Sequence, residues 1–447
     1  MKRRTFISNI GMASAGLALM PTACTKSEDT EILILGGGIS GLYLAYMLEK
    51  VDKDYILLEG SDRFGGRMFT RTDINRDVGG RGIGDKYAYM LQLIEASGAE
   101  MIDITEYMNS PSAIYMNGKL RHPWPEEEVK PASLQYMALG KSDYLKGLDS
   151  WYKSPEWDEA YSSFLSRNGL TQEQIDLTNI SANYNDIRET SALNAHHSRA
   201  FVKYNGSKRV LNFKGGTKAF IDKVVAMLSK PLHANKMVTH IDDQSSGVRV
   251  KCQDGSSYRA KKVVSTLPFT TLRDVKMNMA FNENQKKAIN TLDYTNITQI
   301  HLTHSEEYWK EDGIPMGMWT DTPLERIMNM SALPDETEMA CWVNGKGTAF
   351  FDKMTEKEIA DFTIKTLHKM RPASKGKIEY LGTQNWGKYP YNKGAYIEFG
   401  VGQAAWFEDM IKPVGNLYFA GEHTANNNRG MEAAAESAMR VFNELMT

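Results

Sequence analysis

The sequence predicts an α/β protein in which a nucleotide-type domain is interleaved with an α+β domain, and three observations carry that reading. An apolar strand, a glycine turn and a helix follow one another between Glu31 and Lys50. Short strands alternating with helices stop near residue 100 and return near residue 205. The 447 residues also exceed what one simple core serves. With 42% hydrophobic and 24% charged residues, the composition excludes disordered and fibrous classes.

The first residues, MKRRTFIS, place Lys2, Arg3 and Arg4 ahead of the small apolar run IGMASAGLALM, which is short for a membrane span. Residues 1–23 therefore read as an export leader. Arg3-Arg4 followed by Phe6 and Ile7 resembles a twin-arginine signal, and PTAC, ending at Cys24, resembles a bacterial lipoprotein cleavage site. The expected location is the periplasm or cell envelope, either free or lipid-anchored through Cys24. Without the leader's three cations the formal charge moves from −2 to −5, with no basic cluster, so a nucleic-acid partner is excluded. Cys252 and Cys341 have no metal-ligand spacing, and no metal is expected.

EILIL leads straight into GGGISG and LYLAYMLEK, the strand–turn–helix context of a dinucleotide fingerprint. Gly36 permits the turn, Gly38 admits the pyrophosphate, and Gly41 lets the helix pack on the strand, with free N–H groups at the helix start facing phosphate. A second apolar run, YILLE, ends at Glu59, where an acid reaches a ribose hydroxyl and repels a 2′-phosphate. RFGGRMFT follows, setting Gly65 and Gly66 between Arg63 and Arg67, a flexible backbone with phosphate donors on either side.

Farther along, Asp85 is expected to cap a helix with Tyr87, Met90, Leu91 and Ile94 on its apolar face, ended by Gly98. Residues 101–204 are irregular and rich in Tyr, Trp and Met, with a capping box at Thr171–Gln174, and read as an inserted substrate domain. Nucleotide-domain character returns in FKGGTKAFIDKVVAML, VTHI, VRVKC, the Asp254-Gly255 turn and YRAKKVVSTLP. The expected division is 29–100, 205–285 and 390–447 for the nucleotide domain, and 101–204 and 286–389 for the substrate domain.

Near the end stand WGKYPYNKGAY and LYFAGEHTANNNRGMEAAAESAMRVFNEL. Together with the Arg-x-Gly-Gly-Arg stretch after Glu59, these segments resemble the FAD-dependent amine oxidase family, of the monoamine oxidase and L-amino-acid oxidase type. The resemblance implies an FAD-binding Rossmann-like domain of the GR2 type and one FAD held by both ends of the chain. In that family the residue matching Val238 holds the adenine through its backbone, and the acid matching Glu422, after Gly421, accepts hydrogen bonds near the ribityl chain. The helix from Met431 would aim its positive end at the flavin edge that becomes negative on reduction.

The implied reaction removes hydride from the carbon bearing an amine, gives an imine that water hydrolyses, and passes electrons to O2 or another acceptor. Tyr396 matches one wall of the family's aromatic cage, Trp386 the tryptophan beside the flavin, and Gly430 the second wall, where an aromatic residue is usual. Gln299 falls where a lysine commonly reaches the flavin through a water. Ala395 stands where some members carry a cysteine bound to FAD, which implies noncovalent flavin. Arg81, in GGRG, lies one position before the arginine that grips a carboxylate in amino-acid oxidases and is a candidate for that role. The expected partners are a small amine or amino acid and an electron acceptor. Two other readings stand beside this one: an FAD-dependent desaturase or dehydrogenase acting on a non-amine, and a noncatalytic exported flavoprotein.

Overall fold

The Glu28–Leu35 strand is an interior strand of an eight-stranded sheet in the computed structural model, which describes residues 28–108, 111–122, 151–331, 333 and 336–447. Residues 1–23, read from the sequence as a leader, and Cys24 lie outside the described residues. Ile32 to Leu35 are 0–2% exposed, so both faces of the strand are covered, which suits a parallel strand. It pairs in parallel with Tyr55–Leu58 on one side and Ser257–Ser265 on the other. Leu417–Phe419 joins the far end of Ser257–Ser265, also in parallel, and so carries the C-terminal segment into the same sheet. The near end of Ser257–Ser265 pairs antiparallel with Gly247–Cys252, which in turn pairs with Val238–Gln244.

Nine of the eleven residues of the Ile39–Glu49 helix are buried, so no single apolar face can serve it. One side covers the sheet. The other meets the C-terminal helix Gly430–Met446, whose Ala435 and Ala438 are fully buried in the same cluster and allow close approach. The two ends of the sequence are thus packed together by side-chain size.

A second, seven-stranded sheet runs Ile378–Asn385, Ile297–His304, Glu338–Asn344, Arg326–Asn329, Gly317–Thr320, Ser112–Met116 and Lys119–Arg121. One face packs Ile300, Leu302, Ile327, Cys341 and Val343 against the Glu356–Met370 helix region. The alternation of strand side chains then sends Ile297, Gln299, Arg326, Met328 and Trp342 to the opposite face. The 101–204 stretch contributes to more than one body. Ser112–Met116 joins this sheet, Met101–Asp103 pairs with Val210–Phe213, and Trp151 and Leu193 sit in the core beside Leu33 and Leu35.

The capping box at Thr171–Gln174 is present, and Gly98 ends the Ala88–Ser97 helix in the left-handed region. Asp85 does not cap that helix. Its carboxylate accepts from the N–H groups of Lys208 and Arg209, while Glu432 accepts from the N–H groups of Tyr89 and Met90 at 3.0 and 2.9 Å. A buried carboxylate on the C-terminal helix therefore does what local sequence had assigned to a neighbour.

Candidate active site

Where the two sheets face one another, one cavity of about 500 Å³ runs from Glu59, Lys236 and Val238, past Gly38 and Gly66, to Trp386, Tyr396 and Gly430. Every site residue singled out in the sequence borders it except Gly41, which lies beneath its floor. A Cβ built on Gly41 would stand 2.0 Å from the Gly36 carbonyl oxygen, so only glycine lets the helix start sit on the turn. Gly38 is different: the nearest atom to a Cβ there is Gly66 Cα at 3.8 Å, leaving the backbone bare to the groove. Gly38 is also the N-cap of Ile39–Glu49 and offers no side-chain cap, so the first N–H groups of that helix remain available to an anion.

Glu59 is held firmly. One carboxylate oxygen accepts from Gly37 N–H at 2.7 Å, and the other accepts from Ser61 N–H and Oγ at 2.8 and 2.7 Å. The two arginines of the following loop are engaged within the protein. Arg63 donates to the carbonyls of Gly66 and Met68 and lies 3.6 Å over the Phe69 ring. Arg67 donates to Ala395 O at 2.5 Å and to Glu422 at 3.2 Å. Arg67 thereby ties the front loop to the C-terminal turn. The Glu422 oxygen that receives it also accepts from Ile397 N–H at 3.3 Å.

The Gly421 turn is fastened from behind. Gly421 N–H donates to Ser437 Oγ at 2.8 Å, and Ser437 Oγ lies 3.4 Å from Ser40 Oγ. Glu436 gathers the N–H groups of Asn426, Asn427 and Asn428, so the loop before the C-terminal helix is built around one carboxylate. That helix begins at Gly430 without a side-chain cap, and Gly430, Met431 and Ala434 border the cavity. A Cβ on Gly430 would meet nothing within 4 Å, so that side of the cavity is open.

At the inner end Trp386 is 3% exposed and donates its indole N–H to Val78 O at 3.0 Å, which fixes the ring. Burial pushes the Tyr396 phenol up, opposed by the Arg326 guanidinium, so the hydroxyl is neutral at ordinary pH. His301 is pulled down to about 3 by burial first and by Arg81 next. Its Nε2 is 3.1 Å from Gln299 Oε1; neutral and protonated there, His301 donates to that oxygen and leaves the Gln299 amide N–H groups for the cavity.

Arg81 reaches the cavity but has a counter-ion: Glu338 lies 3.8 Å away and is shared with Arg76 at 3.3 Å. Burial pushes Glu338 up to about 7, opposed by Arg76 and then Arg81. Sequence reading missed Arg326, which also borders the cavity and is 6% exposed. No local motif marks it; it becomes visible only when the strands are paired.

The family model described as flavin containing amine oxidoreductase matches residues 39–446. The L-amino-acid oxidase of Naja atra is 24% identical over 94% of this chain and 88% of its own length. The flavin-containing amine oxidase B of Canis lupus familiaris is 24% identical over 94% and 86%. Among solved structures, cyclohexylamine oxidase from Brevibacterium oxydans superposes with a TM-score of 0.79 at 18% identity, covering 94% of this chain and all of the other. Putrescine oxidase bound to putrescine gives 0.78 at 15% identity, covering 94% and 99%.

FAD fits the residues present. A bare backbone cradle lies at Gly38 and Gly66, two uncapped helix starts border the groove at Gly38 and Gly430, and a fixed acid stands at its adenosine end. With a family match reaching from the first helix almost to the last residue, the chain belongs to the flavin-containing amine oxidoreductases and is an FAD-dependent oxidoreductase.

Proposed function

We propose that the chain oxidises a primary or secondary amine, or an amino acid, to an imine, with O2 reduced to H2O2. The observation that carries this reading is the inner end of the cavity, where Tyr396, Trp386 and Gln299 surround a space continuous with the dinucleotide groove. Bound FAD supplies the hydride acceptor. The chain's own residues orient the substrate and exclude water: the fixed Trp386 ring and the Tyr396 ring form walls, and Gly430 leaves room for a substituent on the nitrogen. The Gln299 amide, oriented by His301, offers N–H donors to a water or to substrate without adding charge. A neutral donor set disfavours a protonated amine less than a lysine would, yet gives no electrostatic help to a developing oxygen anion.

Ala395 has no side-chain nucleophile beside the groove, which supports noncovalent FAD; acid precipitation should release all the flavin into solution. Incubating the protein in air with a panel of amines, polyamines and L-amino acids, and measuring H2O2 together with the carbonyl product, tests the activity. Peroxide and carbonyl formed in equal amounts are expected with one class. Carbonyl formed only with an added dye would assign a dehydrogenase. We further propose that residues 1–23 direct export; retention of the full-length chain in the cytoplasm after fractionation would refute it.

A further inference from the structure

The seven-stranded sheet carries a row of facing residues across four strands: Gln299 pairs with Trp342, Trp342 with Arg326, and Arg326 with Trp319. Arg326 is 94% buried and its guanidinium carbon lies 5.4 and 5.6 Å from the ring centres of Trp319 and Trp342. Its Nη2 donates to the Asn183 and Asn344 amide oxygens at 2.6 and 2.7 Å, and both acceptors are neutral. Its buried Nε has no hydrogen-bond partner. The nearest acid, Glu325, accepts from the N–H and Nδ2 of Asn344, whose amide oxygen in turn accepts from Arg326, so Glu325 faces the guanidinium only through that amide, and among the described residues no carboxylate lies within ion-pair distance of Arg326. Arg81, by contrast, already has Glu338.

A buried cation whose nearest acid reaches it only through a neutral amide, with one N–H unpartnered, is costly, and a ligand anion in the cavity would pair with it directly. We propose that Arg326 is a specificity-determining residue that binds a carboxylate, or a group of similar charge, on the substrate. Two strand spacings, about 10 Å, separate its backbone from that of Gln299, so the anion sits at the end of the substrate remote from the oxidised carbon. The two indoles flank the site and exclude water, which strengthens a charge-assisted pair. The preferred substrate is therefore an amine with an acidic far end, a narrower class than the oxidation reading on which it rests.

The test is titration of the FAD-loaded protein with benzoate, followed by the visible flavin spectrum, in wild type, Arg326→Met, Arg326→Lys and Arg81→Met. Benzoate should perturb the wild-type spectrum. Arg326→Met should weaken its binding by about tenfold or more, because a charge-assisted bond is removed, while Arg326→Lys should be intermediate. Arg81→Met should change affinity by no more than about twofold, since its guanidinium is already paired. No benzoate binding by wild type, equal affinity in Arg326→Met, or a loss confined to Arg81→Met would each overturn the proposal. If Arg326→Met does not retain flavin, Arg326→Lys decides, because it keeps the charge and loses the planar fork. Arg326-dependent benzoate binding in a protein whose flavin no amine reduces would uphold the anion site and refute the oxidation reading instead.

Discussion

Replacing Gly41 with alanine probes the joint on which the cofactor groove rests. The added Cβ would lie 2.0 Å from Gly36 O and 3.2 Å from Gly36 C, whereas ordinary contact begins at 3.4 Å. The helix must therefore move away from the turn by more than an ångström, or Gly36 must move. Gly36 is not free to do so, because its N–H donates to Leu58 O at 2.7 Å and its carbonyl accepts from Thr266 Oγ1 at 3.1 Å. Alanine gains about 1 kcal/mol of intrinsic helix preference over glycine, but overpacking against fixed backbone costs about 1–3 kcal/mol and more when nothing yields. The expected net loss is on the order of 2 kcal/mol, with the helix N-terminus displaced from the phosphate position. Flavin absorbance per protein after gel filtration, with thermal unfolding in parallel, reads both effects. A variant that keeps a full complement of flavin and an unchanged Tm would refute the argument.

Other substitutions test separate links. Tyr396→Ala should leave flavin bound while lowering kcat/KM about tenfold or more, since an aromatic wall is lost and the groove is not; unchanged turnover would remove Tyr396 from the site. Glu432→Ala removes the carboxylate that holds the start of the Ala88–Ser97 helix, and its two N–H bonds, offset by the burial of the charge, should be worth about 2 kcal/mol in urea unfolding. An unchanged midpoint would show that water replaces the cap. Burial raises Glu398 from 4.5 to about 7, so it favours the folded state below pH 4.5 and loses that contribution as pH rises through 7. Glu398→Gln should therefore reduce the fall in stability between pH 5 and 8, by on the order of 3 kcal/mol at most; parallel stability curves for variant and wild type would contradict the assignment.

What the sequence revealed was local, and what it hid was long-range. Gly36, Gly38, Gly41 and Glu59 sit within one strand–turn–helix–strand unit, where short-range sterics decide the geometry. The Thr171–Gln174 box held for the same reason. Asp85 had the right residue type in the right place, but Glu432 reached the helix start from 342 and 343 positions away. Arg63 and Arg67 were visible as donors, yet their acceptors at Tyr389, Ala395 and Glu422 come from the other end of the chain. Arg326 has no neighbouring motif at all. Only antiparallel pairing of separate strands places it in the row with Trp342 and Gln299, and its charge is informative because the neighbouring acid, Glu325, reaches it through Asn344 and not by a direct ion pair.

The most direct test of the central claim is the visible spectrum of the purified protein under anaerobic conditions during stepwise addition of amines and amino acids. The account predicts a bound-flavin spectrum that bleaches with one substrate class, most readily with amines bearing a distant carboxylate, and recovers when air is readmitted. Bound flavin that none of these compounds bleaches would contradict it.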